Sequence, residues 1–318
     1  MDRKTRLNSL PEPPHEQCGH IDRRSFLGGA GRLTVGGLTA GALLEGGLVE
    51  SWAQPAARDT HQPSARVVDR LRNRFTFQMS VDVATLEQGR SVAAAALAGG
   101  IDIIEMGTPL LKNQGVANVV PAFRKQFPEA LLLADMKTMD GGAFEARAVF
   151  TGGANIIDFL ALAGADTAKA ICGVRDEFRR AGPELARLVF CDILLPQQGP
   201  AASAIEAALR MLDAGVDGVG IHLQVDARRA DPTLIANDYL GEVARALFER
   251  VGRSAPVQVV GGLHIAQARR LAQAGVRSFV ISGNLGLPDT LARYDLPPAE
   301  IEKHVARFIA EVSGPRPA

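Results

Sequence analysis

From residue 75 onward, the chain repeats one pattern eight times, in which a short apolar run precedes a segment with helical periodicity. The apolar runs lack strict alternation of polar and apolar residues, which is typical of parallel strands buried on both faces. These predicted strands cover residues 75–81, 101–105, 131–136, 155–160, 188–194, 218–222, 257–260 and 278–281. The predicted helices lie near residues 85–98, 113–126, 142–152, 165–181, 200–214, 238–251 and 264–274, with one or two more at the C-terminus.

Eight strand–helix units in about 240 residues match the size of a (β/α)8 TIM barrel. A doubly wound open sheet has the same alternation of strands and helices and is the alternative fold. Two observations favour the barrel: there are eight strand–helix units, and no GxGxxG string follows the first strand. We therefore predict an α/β protein with one barrel domain over residues 69–318, whose longest insertion, residues 223–237, follows the sixth strand.

The first 53 residues resemble a bacterial twin-arginine export signal. Arg23 and Arg24 precede an uncharged, Gly-rich stretch over residues 34–44, and a site with small residues follows. The alternative is a membrane anchor, but the uncharged run is shorter than the roughly 20 residues that span a bilayer. We expect export by the twin-arginine machinery to an extracytoplasmic or periplasmic location, with membrane tethering if the signal is not cleaved. Residues 54–68 are predicted to form a polar linker.

The charge balance and the cysteine content exclude several classes of function. Lys plus Arg and Asp plus Glu both total 35, so the net charge is zero and neither nucleic acid nor an anionic membrane surface is an expected partner. The three cysteines form no CxxC pair and have no metal-ligand spacing, which argues against a zinc site or a disulfide framework. A hydrophobic content of 47% is sufficient for a full core.

Polar residues gather where the predicted strands end, and in a barrel the carboxyl ends of the strands form the active-site face. Charges within apolar strands cost several kcal/mol unless they are paired or bound to a metal. One buried Asp–Lys pair would suit a structural role, whereas a group of carboxylates with a lysine and a histidine indicates a divalent-metal site. The residues concerned are Asp82, Glu105, Asp135, Lys137, Asp158, Asp192, His222, Gly261, Gly262, Ser282 and Gly283.

The densest motif is ADMKTMDGG, at residues 134–142. Asp135 and Lys137 are two residues apart, so on a strand their side chains point to the same side. Asp140 lies just beyond the strand, before two glycines that permit a tight turn into a helix. A surface charge cluster is the weaker interpretation, because the motif directly follows the apolar run LLLADM.

This motif and its context resemble the orotidine 5'-monophosphate decarboxylase superfamily. More narrowly, the chain is similar to the 3-hexulose-6-phosphate synthase and 3-keto-L-gulonate-6-phosphate decarboxylase families. The resemblance runs from about residue 75 to about residue 288. It is carried by QMSVD at 78–82, IDIIEMGTPL at 101–110, the DxKxxDGG string, His222 with Asp226, and the GG and SG pairs at 261–262 and 282–283.

The resemblance implies a role for each matching residue. Glu105 and Asp135 would hold Mg2+, with Mn2+ as a substitute, and Lys137 would stabilise a cis-enediolate beside the metal. Asp140 would reach into the site of a neighbouring subunit, which implies a homodimer with shared active sites. Further catalytic and binding contacts to a small phosphorylated sugar would come from Asp82 at the substrate hydroxyls, His222 in proton transfer, Asp226, and the phosphate loops with Gly261, Gly262, Ser282 and Gly283.

Departures from the family patterns favour one reaction over the other. Val225 and Asn284 stand where the decarboxylases carry arginines, which favours an aldehyde-lyase that joins formaldehyde to ribulose 5-phosphate. Gln224 stands where the synthases usually carry glycine, so these positions do not fix the identity of the substrate. The alternatives are a decarboxylase that forms the same enediolate and an exported, non-catalytic barrel that binds a sugar phosphate. The complete set of polar site residues argues against the non-catalytic alternative.

Overall fold

The computed structural model describes residues 62–314. Eight parallel strands close into a barrel. Each strand pairs with the next, and the last strand pairs with the first through Phe77 and Phe279. This closure confirms the predicted (β/α)8 TIM barrel and excludes the doubly wound open sheet. The strands are β1 (Thr76–Val81), β2 (Ile103–Met106), β3 (Leu131–Thr138), β4 (Ile156–Leu160), β5 (Leu188–Leu195), β6 (Gly218–Leu223), β7 (Val257–Val260) and β8 (Ser278–Ile281).

All seven predicted inter-strand helices are present. Gly115, with φ +79°, separates α4 (Val116–Gln126), which matches the predicted helix over 113–126, from α3 (Thr108–Gln114), which the sequence did not predict. The insertion after β6 contains two short helices that the sequence did not predict. The helices are α1 (Ser64–Asn73), α2 (Leu86–Ala98), α3 (Thr108–Gln114), α4 (Val116–Gln126), α5 (Gly142–Gly152), α6 (Gly164–Ala181), α7 (Ala201–Asp213), α8 (Val225–Ala230), α9 (Thr233–Ala236), α10 (Tyr239–Val251), α11 (Ile265–Gln273) and α12 (Pro298–Ser313).

Helix α1 closes the amino-terminal end of the barrel. Val67 and Leu71, four residues apart on one helix face, are buried against apolar residues at the beginnings of β2–β5. The Ser64 hydroxyl donates to the carbonyl of Arg187 at 3.1 Å and accepts from its backbone N–H at 2.9 Å. Residues 64–68 are therefore part of the barrel, which corrects the predicted linker boundary at residue 68. The predicted export signal and residues 54–61 of the predicted linker lie outside the described residues.

The interior of the barrel changes from apolar to charged along the strands. Inward-facing positions near the amino-terminal end are Ile103, Leu131 and Leu133, all buried in one cluster with α1. Two residues beyond Ile103 and Leu133, on the same inward faces, lie Glu105 and Asp135. Helices cover the outside of the barrel, so the polar end at the strand carboxyl termini is the open one.

No helix within residues 62–314 has both the length and the apolar character needed to cross a membrane.

Candidate active site

A cavity of about 690 Å³ opens at the carboxyl ends of the strands. All but one of the residues predicted to form the site line it. Those that do are Asp82, Glu105, Asp135, Lys137, His222, Asp226, Gly261, Gly262, Ser282 and Gly283. Asp140 is the exception: it is exposed, and its Oδ1 accepts from the backbone N–H of Gly141 at 2.7 Å. A single chain thus assembles the predicted site except for this carboxylate.

Three carboxyl groups from β1, β2 and β3 converge on one side of the cavity. Ligand oxygens of Asp82, Glu105 and Asp135 all lie within 4.8 Å of one another. The Ser80 hydroxyl is 2.7 Å from Asp82 Oδ2 and 2.9 Å from Glu105 Oε1, and Gln78 Nε2 donates to Glu105 Oε2 at 2.5 Å. Gly107 is required here because a Cβ at this position would overlap the Asp82 carboxylate.

This donor set fits a hard divalent cation. Burial, followed by the charges of Asp135 and Asp82, raises the pKa of Glu105 well above its usual value. Loss of solvation within the cavity also raises the pKa of Asp82, against the hydrogen bond from Ser80. Carboxylate oxygens crowded together in this way are the hard ligands that Mg2+ and Mn2+ prefer. Asp82, Glu105 and Asp135 therefore have the chemistry to hold such an ion.

The Lys137 ammonium lies next to this cluster and holds two carboxylates. Its Nζ is 2.6 Å from Asp135 Oδ1 and 3.0 Å from Asp192 Oδ2. Burial alone would lower the pKa of Lys137, but Asp135, Asp192 and two further carboxylates raise it well above its usual value. Lys137 is therefore a fixed positive charge inside the cavity.

The backbone at Lys137 adopts the left-handed conformation, with φ 49°. The pairing between β3 and β4 shifts at this point, from Asp135 opposite Asp158 to Thr138 opposite Phe159. A non-glycine residue in this conformation costs about 1–3 kcal/mol, and such strain is concentrated at functional sites. Asp135 and Lys137 do reach the same cavity, as predicted, but through an irregular strand end and not a regular one.

Asp192 connects the lysine to the histidine. Its Oδ2 also lies 2.8 Å from His222 Nδ1. Burial alone would raise the pKa of Asp192. The interactions with Lys137, and then with His222, outweigh this effect and hold that pKa well below the usual range. The carboxylate is therefore ionised and accepts hydrogen bonds from both neighbours. Gly220 makes room for it, since a Cβ there would overlap Asp192 Oδ1.

The structure adds site residues to which the sequence analysis gave no role. Asp158 is buried, its Oδ1 has no hydrogen-bond partner in the described part of the chain, and burial with Asp192 and Asp135 raises its pKa well above the usual value. The Tyr294 hydroxyl donates to the Ser80 carbonyl at 2.8 Å, and the Thr108 hydroxyl donates to Asp135 Oδ2 at 2.8 Å. The sequence indicated Asp158 as a polar residue at the end of a predicted strand, but it indicated no role for it. Tyr294 lies in a loop, and no motif in the sequence marks it.

The opposite wall of the cavity is formed by the loops that follow β7 and β8. Gly261 and Gly262 have φ +128° and +70°, a region that favours glycine. Ser282 and Gly283 complete this wall. Asn284 Nδ2 donates to the carbonyls of Gly262, Leu263 and Leu287 at 2.8–3.2 Å, so this amide ties the two loops together.

A closed (β/α)8 barrel with a charged cavity at its strand carboxyl ends has the architecture of a barrel enzyme. The chain matches the family described as orotidine 5'-phosphate decarboxylase / HUMPS over residues 76–223. The 3-hexulose-6-phosphate synthase of Mycobacterium gastri is 30% identical over 209 residues, which span 65% of this chain and 89% of that protein. The chain therefore belongs to the orotidine 5'-phosphate decarboxylase / HUMPS family.

Two further comparisons agree with this assignment. A crystal structure of 3-hexulose-6-phosphate synthase superposes with a TM-score of 0.58 at 26% identity, over 73% of this chain and 99% of that chain. A probable 3-keto-L-gulonate-6-phosphate decarboxylase of Haemophilus influenzae is 34% identical over 108 residues, which span 34% of this chain and 47% of that protein. Both a synthase and a decarboxylase are thus among the relatives of this chain.

Proposed function

We propose that the protein is a Mg2+-dependent aldehyde-lyase that joins formaldehyde and ribulose 5-phosphate. The observation that carries this proposal is the position of the Lys137 ammonium, which lies between Asp135 and Asp192 beside a three-carboxylate cluster. A fixed cation and an adjacent metal site are suited to a reaction that builds negative charge on substrate oxygens. The synthase relative from Mycobacterium gastri supports the same reaction.

Asp82, Glu105 and Asp135 would hold Mg2+ or Mn2+. The bound ion would polarise the substrate carbonyl and offset the negative charge that develops on its oxygen. Asp82 is the most open of the three carboxylates to the cavity, so it would also accept hydrogen bonds from the substrate hydroxyls.

His222 carries out the proton transfer in this reaction. Because Asp192 is ionised, His222 Nδ1 donates to it, which leaves Nε2 as the ring nitrogen available to a substrate. His222 takes the C1 proton of ribulose 5-phosphate, and the electron pair of that C–H bond forms the enediolate, whose charge Lys137 stabilises. C1 of the enediolate then bonds to the formaldehyde carbon, and the former formaldehyde oxygen takes a proton from His222. Leu223 and Val225 line the cavity in the same segment and would provide an apolar pocket for formaldehyde.

The exposed Asp140 supports a homodimer with shared sites. It lies in the β3–α5 loop outside its own cavity, near two exposed apolar side chains, Met139 in the same loop at 52% and Phe144 in the first turn of α5 at 82%. Exposed apolar side chains of this size are typical of surfaces that a partner covers. Asp140 would then enter the cavity of the second subunit and contact the substrate there.

A decarboxylase acting on 3-keto-L-gulonate 6-phosphate is the second candidate. The relative from Haemophilus influenzae favours it, and it would use the same enediolate. Val225 and Asn284 bring no positive charge to the cavity, and Asn284 is already bonded to three carbonyls, which favours the synthase. We further propose that the protein is exported by the twin-arginine machinery, on the basis of its first 53 residues.

The test is a product assay of the purified protein with Mg2+. One reaction contains ribulose 5-phosphate and formaldehyde, and the other contains 3-keto-L-gulonate 6-phosphate. We expect condensation in the first reaction and a much slower release of CO2 in the second. The reverse ranking would assign the decarboxylase, and binding of both sugar phosphates without turnover of either would assign a non-catalytic binding protein.

A further inference from the structure

Arg228 is a buried cation that the reaction scheme above does not use. It lies on α8, the short helix that opens the insertion after β6, and it is only 9% exposed. Its side chain lines the cavity together with Gly261 and Gly262. The guanidinium covers Gly262 so closely that a Cβ at that position would overlap it.

The other two arginines that are buried within residues 62–314 are well compensated, whereas Arg228 is not. Arg175 lies 2.8 Å from a carboxylate oxygen of Asp217, and Arg187 donates to two backbone carbonyls and stacks over Phe150. Among the described residues, the Arg228 guanidinium makes one hydrogen bond, from Nη1 to the carbonyl of Gly261 at 3.1 Å. Its Nε is buried without a partner, and within residues 62–314 no carboxylate lies within ion-pair distance of it. A buried guanidinium with so few partners is costly unless a ligand supplies the missing acceptors.

The surroundings of this guanidinium suit an anion. The cavity wall beside it consists of the Gly261–Gly262 and Ser282–Gly283 loops, which offer small residues and backbone groups. The crowded carboxylates Asp82, Glu105 and Asp135 come from β1, β2 and β3, whereas Arg228 belongs to the segment after β6. Arg228 and Arg229, with Asp226 on the same helix, therefore line a part of the cavity that is separate from the carboxylate cluster on β1, β2 and β3.

We propose that Arg228 binds the phosphate group of the substrate, with its terminal N–H groups donating to phosphate oxygens. Arginine forms such forked, charge-assisted bonds with phosphate better than any other side chain. This inference rests on the proposed function for the identity of the sugar, and it extends that function by naming the group that selects phosphorylated over unphosphorylated substrates. The φ of +70° favours glycine at residue 262, and a Cβ there would also displace the guanidinium.

The test compares wild type with Arg228→Met, Arg228→Lys and a control, Arg269→Met, which removes an exposed arginine on the neighbouring helix α11. Affinity for inorganic phosphate is measured by calorimetry without metal or sugar, at constant ionic strength set with chloride. We expect Arg228→Met to weaken phosphate binding at least about tenfold, Arg228→Lys to restore part of it, and the control to match wild type. Thermal unfolding without phosphate should show that Arg228→Met is as stable as wild type or more stable, since the variant loses a buried, poorly paired charge.

A second measurement separates this inference from the proposed reaction. With ribulose 5-phosphate and formaldehyde, Arg228→Met should raise KM at least about tenfold and change kcat much less, because phosphate contacts hold the ground state and the transition state alike. If phosphate binding depends on Arg228 but no sugar phosphate is turned over, the result would support the phosphate-binding role of Arg228 and overturn the proposed function. Unchanged phosphate affinity and KM in folded Arg228→Met, or no phosphate binding by wild type, would overturn the inference.

Discussion

Asp192 Oδ2 lies 2.8 Å from His222 Nδ1, and the same oxygen accepts from Lys137 at 3.0 Å. One ionised carboxylate thus positions both the proposed proton carrier and the cation that would stabilise the enediolate. Removing its charge while keeping its shape should misplace the proton on the imidazole. We expect Asp192→Asn to lower kcat about a hundredfold or more, measured by condensation of ribulose 5-phosphate with formaldehyde.

Asp158 provides the matched comparison, because its neutral form resembles an amide. Burial, followed by the charges of Asp192 and Asp135, raises the pKa of this carboxyl well above the usual range and so favours its protonated form, and its Oδ1 has no partner among the described residues. Asp158→Asn should therefore retain activity within about threefold and leave the fold unchanged. A hundredfold loss in Asp158→Asn, or little loss in Asp192→Asn, would show that the charge assignment within this cavity is wrong.

The carboxylate cluster predicts a strict metal requirement. Excess chelator should abolish turnover, and Mg2+ or Mn2+ should restore it, since the ligands are hard oxygens. Glu105→Gln and Asp135→Asn should each lose metal-dependent turnover while circular dichroism still reports a folded barrel. Full activity in excess chelator would exclude the proposed role of these carboxylates.

Shared sites would allow two inactive variants to complement each other. In a mixture of Lys137→Ala and Asp140→Ala chains, a hybrid dimer has one site with both functional residues intact. With equal amounts and random pairing, half of the dimers are hybrids with one intact site of two, so recovery should approach about a quarter of wild-type activity. Hybrid dimers that form without recovery, or a fully active monomer, would contradict a cross-subunit role for Asp140.

The paired arginines of the first 53 residues predict export that depends on them. Replacing Arg23 and Arg24 together by lysine should leave the protein in the cytoplasm, because a receptor reads the guanidinium pair and lysine keeps only the charge. Cell fractionation measures the distribution, with the wild-type chain as the reference. Equal export of the double variant would overturn the proposed location.

The strands were predictable because each is an apolar run buried on both faces, and all eight lie where the sequence placed them. Helix α1 was missed because SARVVDRLRN is polar, and only the spacing of Val67 and Leu71 shows which side faces the barrel. The short helices α8 and α9 were missed because segments of six and four residues have too little periodicity to detect.

The site was predictable at the ends of the strands and less so elsewhere. Reading the last residues of each strand found Asp158, Asp192 and His222 because the barrel brings those ends to one mouth. The bridge that Asp192 makes between β3 and β6 depends on barrel closure, which no local pattern encodes. Arg228 lies in the six-residue helix α8 and Tyr294 in a loop, and in both segments placement depends on tertiary packing and not on periodicity.

In the proposed reaction, this cavity forms an enediolate from ribulose 5-phosphate by removing a proton at C1. Proton NMR of ribulose 5-phosphate in heavy water, with enzyme and Mg2+ but without formaldehyde, measures this step directly. We expect loss of one C1 proton signal in wild type, little exchange in His222→Gln or without Mg2+, and condensation once formaldehyde is added. Rapid C1 exchange that does not depend on Mg2+ or His222, or no exchange by wild type while the sugar phosphate binds, would contradict it.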